Sequence, residues 1–346
     1  MELNDRMPLR YRGITWLMAL LGFAVMAISI WGCAAGQRPP ESGKAPAAGQ
    51  EGKDDRILVV TTIFPYYDFV RQIAGDRVKL KLVVPAGMDS HSFEPTPADM
   101  IAMQEADVLI CNGGEMEQWV EKVLGSLDTS HMKVLTMMDY VDVVEEEHVE
   151  GMEEEEEHRH EDGFEMHIEY DEHIWTSPVN ARAIVKIISQ TLSEAAPREK
   201  SRFEDNTQAY LKELKELDSQ FLKFLQVVNQ GRLHMIVVAD KFPFRYFADE
   251  YGLSYRAAFS GCSGDTEPSA RTIAYLIDKV KEDRIPAVYY LELSCHRTAE
   301  IIQEETGAMP LLLHSCHNVT RKQFDEGVTY LQLMKQNVEN LRYGLE

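Results

Sequence analysis

Apolar residues in this chain fall into short unbroken runs, alternating with longer stretches in which they recur every three or four positions. The runs have the length and character of buried strands, and the three-to-four spacing is that of a helix with one apolar face. In the first half, 57–62, 78–84, 108–111 and 134–136 predict strands, with helices over 66–74, 97–105 and 116–127. In the second half, 234–239, 255–259, 287–293 and 311–313 predict strands, with helices over 242–251, 268–282, 298–306 and 322–341. Strand–helix alternation predicts an α/β fold of two parallel-sheet lobes. Between the halves, Phe203, Tyr210, Leu214, Leu217, Phe221, Leu225 and Val228 keep helical spacing with no Gly or Pro. That stretch, 198–228, predicts one long helix, a rigid linker joining a first lobe over 56–197 to a second over 229–346.

The N-terminal residues follow a different pattern. Arg6, Arg10 and Arg12 precede a nearly continuous apolar run over 14–30, which ends at Trp31-Gly32-Cys33. This is the order of an export signal. A small residue before a cysteine resembles a bacterial lipoprotein cleavage box, so 1–33 is expected to be a targeting segment and Cys33 the lipidated residue. The chain beyond would be extracytoplasmic and anchored to the membrane by that lipid. Residues 34–55, rich in Gly, Pro, Ala and charge, read as a flexible tether.

The net charge of −22 is concentrated. From Asp142 to Glu172 there are 16 acidic residues and one basic one, Arg159. The rest is only mildly acidic, and no basic patch points to nucleic acid. The acidic stretch 145–170 has too little apolar surface to fold and is expected to be a disordered loop. His148, His158, His160 and His167 interleave with its carboxylates, which suits weak, exchangeable metal collection. Four further cysteines remain, Cys111, Cys262, Cys295 and Cys316. Export permits disulfides, but sequence does not fix their connectivity; Cys262 with Cys316 is the preferred pair.

Candidate chemistry lies where strands end. His91, in Gly87-Met88-Asp89-Ser90-His91-Ser92-Phe93-Glu94-Pro95-Thr96-Pro97, follows the second run. His173 precedes a helix opening at Ser177-Pro178, where a serine cap and a first-turn proline are expected. Asp240 ends the run 235–239, and His314 ends 311–313. Loops at the carboxyl ends of parallel strands converge on one crevice, so these four could meet in a cleft between the lobes. Glu292, Cys316 and His317 compete for the same role. Lys241 is a poor ligand, since it would have to lose its proton beside a dication. Three neutral imidazoles and one carboxylate suit zinc better than manganese, which prefers oxygen.

These residues resemble a known family, the solute-binding lipoproteins of zinc and manganese ABC importers, in its zinc-uptake branch. The resemblance spans 57–341. In the first lobe it rests on Thr61-Thr62-Ile63-Phe64-Pro65, Ile73-Ala74-Gly75-Asp76, the His91 motif, Ala106-Asp107-Val108 through Gly113-Gly114, and His173-Ile174-Trp175. In the second it rests on Tyr246-Phe247, Tyr251-Gly252-Leu253, Glu267-Pro268-Ser269 and Glu305-Thr306-Gly307-Ala308. It implies a monomer that carries one zinc ion between its lobes to a membrane permease and its ATPase. His91 and His173 match the family's first two ligands. The third is carried to Asp240, with Glu292 as fallback, and the last to His314. A carrier of manganese or of several transition metals is the alternative within that class. A zinc hydrolase is the rival from another class, but four ligands leave no open position and no HExxH signature occurs. The expected role is not enzymatic.

Overall fold

The computed structural model describes residues 54–152, 169–228, 235–261, 263 and 267–345. The segment holding Cys33, the loop histidines His158, His160 and His167, and Cys262 lie outside the described residues. Among those described, no helix is long and apolar enough to cross a membrane.

The first lobe runs β1 (Leu58–Thr61), α1 (Phe64–Ala74), β2 (Lys79–Leu82), α2 (Pro97–Gln104), β3 (Val108–Cys111), α3 (Gln118–Leu124) and β4 (Lys133–Thr136). Then come α4 (Pro178–Ala195) and the long α5 (Lys200–Val228). The second lobe runs β5 (Met235–Val238), α6 (Arg245–Tyr251), β6 (Ser254–Ala257), α7 (Ala270–Asp283), β7 (Ala287–Tyr290), α8 (Arg297–Thr306) and β8 (Met309–Leu312). It closes with α9 (Arg321–Asp325) and α10 (Tyr330–Leu345).

Each lobe holds a four-stranded parallel sheet, in the orders β2-β1-β3-β4 and β6-β5-β7-β8. In register, Val59 lies opposite Leu80 and Val108, and Ile236 opposite Tyr255. The inner strands are covered on both faces, which is why they read as unbroken apolar runs rather than alternating ones. Outer helices close each sheet separately: Met103, Val120 and Val123 cover the first, and Leu276, Val280, Ala299 and Ile302 the second. The inner faces share one continuous core that passes through α1, α4, α5, α6 and α10. Because α5 packs against α1 and α4 of the first lobe and α6 and α10 of the second, it is the linker helix that its apolar spacing predicted.

Three expectations need correction. The single helix over 322–341 is two, because Thr320 and Thr329 each open a new one. Thr320 exchanges hydrogen bonds with Gln323, and Thr329 with Gln332, so each Thr and Gln satisfies the other's free backbone N–H.

The acidic stretch 145–170 is ordered at both ends. Glu145 bridges to Tyr170, and Tyr255 donates its hydroxyl to Glu147 at 2.9 Å. Val144 and Val149 pack on the shared core and Met152 is buried within it, which supplies the apolar anchorage that the charge run hides.

Nor is Cys316 bridged to Cys262. Cys316 is a free thiol buried in the core, and it lies against the carbonyl of His314 at 3.8 Å.

Candidate metal centre

A cleft of roughly 420 Å³ opens where the loops after the strands of both sheets meet. His91 and His173 reach it from the first lobe, and Asp240, Lys241, Glu292 and His317 from the second.

The His91 loop is pinned at both ends. Phe93 is buried against Trp119, with ring centroids 5.0 Å apart, and Thr96 caps α2 in a reciprocal pair with Asp99. His91 itself stays accessible at the rim, with its backbone N–H donated to Asp89 at 3.1 Å. Loss of water contacts, and then the charges of Lys241 and His173, lower its pKa to about 4 against the pull of Asp89.

His173 precedes the short turn Ile174–Thr176 and is 3% exposed. Its backbone N–H donates to Asp171 at 2.8 Å, and its Nδ1 lies 3.2 Å from the same oxygen. That carboxylate fixes the tautomer and leaves the other ring nitrogen for a ligand. Burial pushes the imidazole pKa down, but Asp171 and Glu172 outweigh it and the net shift is upward. Glu172 anchors the segment by accepting the backbone N–H groups of Glu115 and Met116. Gly114 makes room for it, since a Cβ there would sit 2.4 Å from the Glu172 carboxyl carbon. Gly261 is a second close approach: a Cβ there would lie 3.2 Å from His173 Nδ1.

In the second lobe the structure separates residues that the sequence had grouped. His314 is not in the cleft. It is 1% exposed, held by Asn337 on both sides of its backbone, and its Nδ1 accepts the Cys316 N–H at 3.0 Å. Of the two, only His317 lines the cleft. β8 ends at Leu312, and the chain turns through Cys316 at φ +62°, which carries His317 rather than His314 out of the core. Cys316 does not line the cleft either.

His317 accepts or donates a 2.8 Å bond with Ser90 across the seam, and burial with neighbouring positive charge lowers its pKa to about 3. Its ring lies 6.4 Å from that of His173 and 5.5 Å from Trp175.

Asp240 and Glu292 line the wall but are engaged. Asp240 accepts the N–H of Lys241 at 2.9 Å and that of Leu291, and burial raises its pKa. Glu292 accepts the N–H of Ser315 at 2.8 Å and its hydroxyl. His148 is exposed on the ordered strap and does not line the cleft.

Two imidazoles on one tetrahedral zinc have centroids about 5 Å apart, given Zn–N bonds of about 2.0 Å. The 6.4 Å separation must therefore shrink by about 1 Å. Accordingly, among the described residues no three His, Cys, Asp or Glu side chains stand close enough to grip an ion as they are. The set fits a borderline-soft dication by type: three imidazoles, with carboxylates held in reserve behind backbone bonds. His317 could have been foreseen from its place after Leu311-Leu312-Leu313, but the turn at Cys316 has no strong signature in sequence.

Comparison with known proteins gives concordant matches. The profile described as "Zinc-uptake complex component A periplasmic" (ZnuA) matches residues 59–344. The zinc-binding lipoprotein AdcA of Streptococcus pneumoniae is 32% identical over 85% of this chain, which spans only 57% of AdcA. The high-affinity zinc uptake system protein ZnuA of Bacillus subtilis is 31% identical, over 85% of this chain and 89% of its own length. Among solved structures, the Zn(II)-bound ZnuA-like domain of S. pneumoniae AdcA superposes with a TM-score of 0.67 at 29% identity, covering 84% of this chain and 99% of that one. The metal-dependent lipoprotein YcdH of B. subtilis gives 0.69 at 28%, covering 84% and 100%.

Proposed function

Since this chain belongs to the ZnuA family of zinc-uptake components, a family of binding proteins rather than enzymes, we propose that it captures one zinc ion outside the cytoplasm and delivers it to a membrane permease driven by an ATPase. The observation that carries this reading is the meeting of His91 and His173 from one lobe with His317 from the other in a single cleft. Neutral imidazoles are zinc donors. Manganese prefers oxygen donors, whereas the three rings that line this cleft are nitrogen donors and favour zinc.

The lipid anchor at Cys33, the permease and its ATPase, the monomeric state and metal collection by His148, His158, His160 and His167 belong to the same proposal. Elemental analysis with native mass spectrometry tests it, repeated after deleting residues 153–168 so that the ordered strap ends remain. One tightly held zinc is expected before and after the deletion. Loss of all tight zinc with the loop would move the site away from the cleft.

A further inference from the structure

Lys241 lines the cleft half-buried, and among the described residues no carboxylate lies within ion-pairing distance of its ammonium. Arg297, also on the wall, is paired with Glu300 at 3.5 Å. The charge of Lys241 reaches the imidazoles, since it contributes to the lowered proton affinity of both His91 and His317.

Most carboxylates nearby already accept hydrogen bonds, and among the described residues none is ion-paired with Lys241. Asp89 accepts the His91 N–H, Asp240 those of Lys241 and Leu291, and Glu292 both groups of Ser315; Glu267 stands exposed at the rim. A dication held by three neutral rings keeps its full charge, has a fourth position to fill, and faces a fixed cation. The cleft, at roughly 420 Å³, matches the size of small-organic-ligand sites and far exceeds the room one ion needs.

We propose that the cleft takes its cation together with a small carboxylate anion, which fills the fourth position on the metal and pairs with Lys241. This rests on the carrier reading and specifies the chemical form of the cargo. The pairing restores charge balance in a site where an unmatched dication beside an ammonium is unfavourable.

The test uses the purified chain and citrate as the anion, with free zinc clamped by a competing nitrogen chelator so that citrate cannot act by depleting it. Zinc affinity should tighten by about tenfold or more as citrate is raised, and the native mass should increase by one zinc plus one citrate. Lys241→Met should bind zinc with no response to citrate, while Lys241→Arg should keep the response. A flat citrate response with the mass of zinc alone overturns the proposal while leaving the carrier reading standing. Absence of tight zinc binding with or without citrate overturns both.

Discussion

The indole N–H of Trp175 donates to the carbonyl oxygen of Ser315, 2.8 Å away, and so ties the segment after His173 to the loop that bears His317. The same ring lies 5.5 Å from each of the two imidazoles, and its own carbonyl accepts the Tyr330 hydroxyl at 2.8 Å. Trp175→Phe keeps most of the packing but leaves a buried carbonyl unpaired. It should cost about 1–2 kcal/mol of stability in urea unfolding. Zinc affinity should fall several-fold in a competition titration, because the two imidazoles lose their common brace.

The two C-terminal histidines are separable by substitution. His317→Gln removes a donor from the cleft and should weaken zinc binding by roughly 100-fold or more. His314→Asn retains an acceptor for the Cys316 N–H and should bind zinc within about threefold of the parent. Measuring both by chelator competition decides the assignment, and the opposite ranking would restore His314.

Proton competition should be shallow. Zinc requires neutral imidazoles, and a histidine resists only at pH values below its own pKa. His91 and His317 stay neutral down to about 4 and about 3. His173, raised above its ordinary value by Asp171 and Glu172, is the ring that protonates first. Between pH 7 and 5 the affinity should therefore fall with a slope of about one proton, not three, a loss of about 100-fold at most over the two units. Titrations at fixed ionic strength across that range give the slope directly.

Gly114→Ala tests how the first lobe seats His173. The new Cβ would collide with the Glu172 carboxyl, and φ at this position is +79°. A stability loss of about 2–3 kcal/mol is expected, read as a shifted denaturation midpoint, together with weaker zinc binding.

The fold was largely legible because its signals are local. The strand ends moved by no more than three residues from the expected runs, Val108–Cys111 matched outright, and the spacing of Phe203 through Val228 marked the linker helix. The two-helix C-terminus escaped because Thr329 and Gln332 cap each other within a stretch whose apolar spacing hardly falters. In the site, His91 and His173 were legible from their loops. His317 was ranked behind His314 because a side chain's direction after a strand depends on one turn, here at Cys316, whose positive φ reverses the path. Lys241 was set aside as a non-ligand. Among the described residues its ammonium has no ion pair, which no local pattern reveals. The ordered strap around Glu147 was hidden by composition, since three apolar side chains outweigh the surrounding acids only once a second-lobe surface is there to receive them.

The 29-residue α5 runs unbroken along both lobes, about 43 Å at 1.5 Å per residue, with no proline or glycine at which it could flex. Asn318 adds two clasps at the cleft floor, to the carbonyls of Pro85 and Met88 at 2.9 and 2.6 Å. A molecule so splinted does not gape and shut like a jaw. Any ion that reaches such a cleft must pass its rim, where His91 is the exposed imidazole on a loop that is itself held at both ends.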